Sequence, residues 1–278
     1  MESTVKTAII GMGNMGTLLL EVFMQEKLID PSYITIANRS KEKLIHLKKQ
    51  FKQLHLAENN EDAIKNSELI FLCAKPKEIV AILNEHKHLI TNEKCIVSIT
   101  SPIEVESLEK LTNGHCVRMI PSITNRSKSG ITLLTFSEHC SEKYKEFLWR
   151  LCRQFSTPIE IEEKFVRISS DIVSCGPAFL SFILQEMIAG AQKKTNIDRE
   201  TATKLVEEMV FGVSQLIKDK HYSLQTLEEK VCVKGGITGE GLIVLEKKLT
   251  GVFEEVFDAT HRKFAEEKIH LKEKFKLD

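Results

Sequence analysis

The constraint that narrows the fold most lies at residues 8–16, where "AIIGMGNMG" runs an apolar strand straight into a glycine-punctuated turn. Gly11, Gly13 and Gly16 fit the spacing G-x-G-x-x-G between the strand "TAII" and the helical stretch "NMGTLLLEVFMQEK". In such a unit the first glycine permits the tight turn, the second lets backbone approach a pyrophosphate, and the third lets helix pack closely on strand. Asn14 and Met15 then fall in the helix's first turn, whose unpaired N–H groups and partial positive charge favour phosphate. The expectation is a dinucleotide-binding unit that uses Gly11, Gly13, Asn14, Met15 and Gly16.

Alternation of elements extends that unit. From residue 5 to about 160, the short apolar runs "VKTAIIG", "YITIANRS", "SELIFLCAKP", "EKCIVSITSP", "HCVRMIPS", "SGITLLTF" and "TPIEIEE" are separated by helix-like stretches. This pattern predicts a mostly parallel sheet flanked by helices, an α/β Rossmann-type domain over 1–163. After Glu163 the pattern changes to helices at 178–194, 198–219, 223–232 and 239 to about 275, an all-α domain over 164–278. Within it "FLSFILQEMIAGAQ" is apolar on more than one face and contains the small run Ala189-Gly190-Ala191. A homodimer through these helices is expected, burial inside one monomer being the alternative. The terminal "RKFAEEKIHLKEKFKLD" mixes both charges and reads as a solvated helix end.

The end of the second strand bears on cofactor choice. Rossmann units that bind NAD place an acidic residue there for the ribose 2′-hydroxyl, whereas this chain has Asn38, Arg39 and Ser40. With no carboxylate to repel a 2′-phosphate and Arg39 able to clasp it, NADP(H) is the expected ligand; a solvated surface arginine is the plainer reading. Ala74, Lys75 and Pro76 follow "FLC" and are expected against the cofactor, because ligands sit beyond the carboxyl ends of the strands. Pro76 also suits a helix start.

Composition excludes other classes. Lys plus Arg and Asp plus Glu are 39 each, so no net field draws the chain to nucleic acid or an anionic membrane. Seven cysteines, an odd number with no C-x-x-C pair, indicate reduced thiols and a cytoplasmic location, and no metal site is expected. Apolar runs such as "AFLSFIL" are shorter than the roughly 20 residues of a membrane span.

Together "GMGNMG", "NRS", "ENNEDAIKNSELIFLCAKP", "VSITSPI", "RMIPS", "DIVSCGPAFL" and "VKGGITGEGL" stand in the order and spacing of the pyrroline-5-carboxylate reductase family, which the chain resembles over essentially its whole length. Within the family it is most similar to a divergent branch, the late competence proteins of spore-forming bacteria. The resemblance implies a Rossmann domain joined to a helical domain that interlocks with a second subunit. It also implies reduction of a cyclic imine carboxylate to proline by NAD(P)H. By the same resemblance Asn59 lies on the adenosine side of the cofactor, Gly235, Gly236, Ile237 and Thr238 cradle the substrate carboxylate, and Thr238 is the catalytic hydroxyl facing the imine nitrogen. A threonine here also suits a helix N-cap.

The chain departs from the family at the substrate motifs. Met-pro-asn has become Ile120-Pro121-Ser122, ser-gly-pro has become Cys175-Gly176-Pro177, and ser-pro-gly-gly-thr-thr has become Val233-Lys234-Gly235-Gly236-Ile237-Thr238. Cys175 has no identifiable base and reads as a helix-start cysteine, while Lys234 could hold a different anion or simply sit in solvent. Two functions follow: an NADPH-dependent imine reductase, or an NADP(H)-binding regulatory or interaction protein with little turnover.

Overall fold

The computed structural model describes residues 4–275. Eight strands form one sheet in the order β3-β2-β1-β4-β5-β6-β7-β8. They are β1 (Thr7–Ile10), β2 (Ile34–Ala37), β3 (His55–Leu56), β4 (Leu69–Leu72), β5 (Cys95–Ser98), β6 (His115–Ile120), β7 (Ile131–Phe136) and β8 (Thr157–Glu160). Every neighbouring pair is parallel except β6 with β7. Seven strands coincide with the runs expected from sequence; β3 was not foreseen, having only two residues and no alternation to betray it.

Strands β1, β4 and β5 are apolar at nearly every position and fully buried, as strands covered on both faces must be. Helices α1 (Asn14–Gln25), α2 (Lys41–Gln50), α3 (Asn60–Lys65), α4 (Pro76–His86), α5 (Val105–Leu111) and α6 (Glu142–Arg153) supply the cover. One face centres on Phe23, Phe71 and Phe155, with ring centroids 5.4 and 6.5 Å apart about Phe23. The other carries Ile64, Ile79, Leu83 and Leu108. Because the chain builds outward from β1 to β3 and then returns to β4, the order reverses between β1 and β4. A crevice at the carboxyl ends of these two strands results.

The remaining helices are α7 (Val166–Ser170), a π-helical turn (Asp171–Cys175), α8 (Gly176–Lys194), α9 (Arg199–Lys218), α10 (Leu224–Val231), α11 (Ile237–Leu249) and α12 (Val252–Phe275). The long helix expected from 239 is two helices, broken where Gly251 takes φ +84°.

Two compact units result, one ending at Cys175 and resuming at Thr260, the other Gly176–Ala259. The division therefore differs from the boundary expected at 163/164, and the reason is contact. Ser122 Oγ donates to Val173 O at 2.6 Å, Ser174 Oγ donates to Pro121 O at 3.2 Å, and Val166 is buried with Ile120 and Leu133. The end of α12 is exposed over most of its surface but anchored along one side. Buried Asp171 accepts from Thr260 Oγ1 at 2.9 Å and pairs with Arg167 and His261, Lys268 pairs with Glu104, and Leu271 is enclosed among the second face's residues. Lys276 to Asp278 of that expected tail lie outside the described residues.

In the second unit α8 and α9 leave large apolar side chains uncovered, Phe182 at 63% and Phe211 at 68% exposure among them, while Ile188 and Ala202 are buried. Burial of the α8 segment inside one chain is thus not what this unit does. The helical run Glu163–Lys194 is also long and apolar enough to cross a membrane by length and composition. That differs from the sequence expectation, because a helix can tolerate scattered polar positions over a length at which no uninterrupted apolar run exists.

Candidate functional site

A cleft of about 590 Å³ opens at the carboxyl ends of the strands on the β1/β2 side. It brings together Gly11, Asn38, Arg39, Ser40, Asn59 and Ala74, six of the residues singled out from sequence. Ile10, Ala57, Glu58, Glu78, Ile82 and Glu85 complete much of its wall. These were missed because the α4 residues face the cleft only once that helix is placed. Signals existed for two of them: Ala57 and Glu58 directly precede Asn59.

The floor is built by steric necessity. Gly11 has φ +97°, and a Cβ there would meet Cys73 O at 2.6 Å. A Cβ at Gly16 would lie 2.0 Å from Gly11 O. Gly13 is different: a Cβ there meets nothing within 4 Å, and the backbone is extended at φ −75° and ψ −162°. The protein does not need this residue to be glycine, whereas a ligand lying against the turn would. Gly13 is the N-cap of α1 and offers no side-chain cap, so the first-turn amides of Asn14 and Met15 remain available at a positive helix end. Gly13, Asn14, Met15 and Gly16 adjoin Gly11 at this helix start rather than lining the cleft wall.

Asn38 has a structural task. Its Oδ1 accepts the Met12 amide at 3.0 Å and its Nδ2 donates to Ser40 O at 3.3 Å, while Gly11 N donates to Ala37 O at 2.8 Å. The end of β2 and the glycine turn are thereby fastened together. Arg39 projects into solvent, its side chain 96% exposed, with Nη1 3.9 Å from Glu78 Oε1. Ser40 caps α2 without a side-chain hydrogen bond, leaving another helix start beside Arg39. Asn59 caps α3, its Oδ1 accepting the Asp62 amide at 2.9 Å, and the residue lines the same cleft.

Lys75 and Pro76 do not line this cleft. The chain turns at Lys75 into α4, with Pro76 in its first turn as the plainer reading held, and both residues border a neighbouring cavity shared with Lys263 and His270. Cys73, immediately behind the turn, is no nucleophile, since burial pushes its thiol far above the usual range.

The residues expected to hold substrate lie in the second unit. Gly235 has φ +75°, and a Cβ on Gly236 would stand 2.9 Å from Val233 O. Both glycines are therefore required by the turn itself. Gly236 is the N-cap of α11, so Thr238 lies inside the first turn and is not the cap. The Gly236 amide is spent on Val233 O at 2.8 Å; those of Ile237 and Thr238 begin the helix without an intrahelical acceptor. Thr238 is exposed, as is Ile237 at 93%.

Ser122, where the family has asparagine, is enclosed in the first unit. Besides donating to Val173 O, its Oγ accepts from Thr124 Oγ1 at 2.9 Å, and its amide donates to Asn125 Oδ1 at 2.7 Å. Cys175 is half-buried 3.6 Å from Arg167 Nη2; burial pushes its thiol up against the pull of that guanidinium. The neighbouring Asp171 carboxylate also holds the thiol up, and it is itself committed to Arg167 and Thr260. Arg118, unmarked in the sequence, is fully buried and bidentate to Glu163 at 3.0 and 2.5 Å, bracing the 101–103 turn through Ser101 O and Ile103 O.

Comparison with known proteins accords with this geometry. Residues 163–267 match the family model described as pyrroline-5-carboxylate reductase dimerisation, and residues 6–102 match that described as NADP oxidoreductase, coenzyme F420-dependent. ComE operon protein 4 of Bacillus subtilis is 40% identical over 97% of this chain and 99% of its own length. Pyrroline-5-carboxylate reductase 3 of the same organism is 29% identical over 92% and 94%. Among solved structures, a Plasmodium falciparum pyrroline carboxylate reductase with NADP bound has a TM-score of 0.82, covers 98% of this chain and 99% of its own, and is 21% identical. At that identity the likeness is one of fold.

Proposed function

This chain belongs to the pyrroline-5-carboxylate reductase family, and from that premise we propose that it reduces the C=N bond of a small cyclic imine carboxylate, pyrroline-5-carboxylate or a close relative. Its cofactor is NADP(H), and the site fits: Gly13 leaves open the space a ligand backbone would take, and the end of β2 carries Arg39 where an NAD-binding chain carries an acid. Gly11, Gly13, Asn14, Met15 and Gly16 would hold the pyrophosphate, Asn38, Arg39 and Ser40 the 2′-phosphate end, and Asn59 the adenosine. Ala74 in the cleft, with Lys75 and Pro76 beyond it at the start of α4, would lie against the cofactor. When bound, NADPH supplies the hydride.

The observation that carries the substrate side is the Gly235–Thr238 turn. Its two glycines hold a shape that offers the Ile237 and Thr238 amides and a hydroxyl at the start of α11. Those amides would cradle a carboxylate, and the Thr238 hydroxyl would donate its hydrogen bond to the imine nitrogen as that atom gains a proton. The uncovered apolar side chains of α8 and α9 support a homodimer, with a second copy supplying their cover. Seven unpaired cysteines support a reducing, cytoplasmic setting.

One observation favours a second reading, NADP(H) binding with little turnover in a regulatory role. The asparagine of the family's met-pro-asn motif is replaced by a serine wholly occupied in bonding Val173 and Thr124. Purified protein mixed with NADPH and pyrroline-5-carboxylate, followed by loss of nicotinamide absorbance beside an independent NADPH titration, separates the two. Saturable oxidation is expected; tight NADPH binding with no oxidation above background would replace the first reading with the second.

A further inference from the structure

Arg39 does not meet the cleft alone. Glu78, the third residue of α4, uses Oε2 to accept the Lys75 amide at 3.2 Å, which fixes the carboxylate at the helix start. Its other oxygen, Oε1, is then turned to the Arg39 guanidinium at 3.9 Å. Both side chains line the cleft. Glu58 and Glu85 line it too, against Arg39 and Lys41, so the walls carry three carboxylates and two cations. A phosphate monoester entering here must take Arg39 from Glu78 or share it. A ribose hydroxyl at the same place does not meet this competition, because it has no need of the guanidinium.

Resting on the NADP(H) reading of the cleft, we propose that Glu78 is a specificity-determining residue acting through Arg39: it holds the guanidinium when no 2′-phosphate is present and thereby lowers the advantage of 2′-phosphorylated over unphosphorylated adenosine. A cap alone would not produce this, since a cap is indifferent to what enters the cleft.

Glu78→Gln isolates the effect, because glutamine removes the charge but keeps an oxygen for the Lys75 amide. The probes are 2′,5′-ADP and 5′-AMP, titrated calorimetrically into the full-length protein at low salt. An exposed ion pair of this kind corresponds to about a 1.5- to 5-fold change in an equilibrium constant. The variant should bind 2′,5′-ADP tighter by about that factor and 5′-AMP unchanged, with the gain absent when Glu78→Gln is made in an Arg39→Ala background. Unchanged 2′,5′-ADP affinity, or an equal gain for both probes, overturns the proposal. So does a gain that persists without Arg39, which would mean direct repulsion of the ligand. Failure of the underlying reading looks different: wild-type protein would bind 5′-AMP as tightly as 2′,5′-ADP, and Arg39→Ala alone would change neither.

Discussion

The three glycines of the opening turn can be told apart by experiment, because the structure gives them different reasons to be glycine. At Gly16 a methyl group would sit 2.0 Å from Gly11 O and 3.1 Å from Cys73 Cβ. Backbone cannot yield like a flexible side chain, so Gly16→Ala should cost at least the ~1–3 kcal/mol of ordinary overpacking. At Gly13 the same methyl meets no protein atom, and its extended backbone suits any residue. Gly13→Ala should change stability by less than ~1 kcal/mol, because the reduced freedom of the unfolded chain offsets the poorer N-cap. The branched side chain of Gly13→Val is tolerated there for the same reason, but it occupies the space through which a pyrophosphate approaches the α1 amides. Thermal melts with and without NADPH read both effects. For a unit of this size 1 kcal/mol moves Tm by about 2–4 °C, and ligand at 100 times its Kd contributes ~2.7 kcal/mol, so wild-type protein should gain about 5–11 °C. Gly16→Ala should melt early even without ligand. Gly13→Val should melt like wild type alone and gain nothing from NADPH. If Gly13→Val keeps the full NADPH shift, no ligand backbone lies against this turn. If instead it melts as early as Gly16→Ala, the open space at Gly13 is not there.

Other positions give further tests. Glu163→Ala should destabilise by ~1–3 kcal/mol in denaturant unfolding, because the buried Arg118 guanidinium loses its counter-charge while keeping Ser101 O and Ile103 O. Gly190→Leu should leave the helical content unchanged but weaken association by a factor visible in light scattering; a Cβ there meets nothing within 4 Å of its own chain, so any clash must come from a second copy. A loss of helicity instead would place the clash within the chain. Ser122→Asn should lower stability by ~1–3 kcal/mol, since the site is enclosed and its hydrogen bonds to Val173 and Thr124 are made. For this reason Lys234→Pro with Ile237→Thr, both at exposed positions, is the better route toward the family's substrate turn. That pair should raise kcat/KM on pyrroline-5-carboxylate by on the order of tenfold or more if positioning limits turnover. Thr238→Ala in that background should then lower kcat more than it raises KM.

How far the sequence reached depended on whether a feature is local. The glycine turn was legible because each of its requirements falls within a few residues: the strand before it, the helix after it and the spacing between them. The buried strands were legible for the same reason, since apolar runs bounded by turns need no distant partner to be recognised. Contacts between distant parts of the chain were not. Asp171 gathers Arg167 from its own helix but Thr260 and His261 from α12, and only that meeting shows why the expected tail folds back and buries Leu271. Ser122 looked like a drifted substrate residue, yet its partner is a carbonyl in the π-helical turn, a feature with no sequence period to announce it. The same division runs through the cofactor cleft. Arg39 could be found by counting from the glycines along one strand, whereas Glu78 is reached only across the β1/β4 crevice, from a helix whose placement depends on the whole sheet. On the proposed reading the strand end selects which phosphate the cleft admits, while the strength of that preference depends on a residue that no local motif marks.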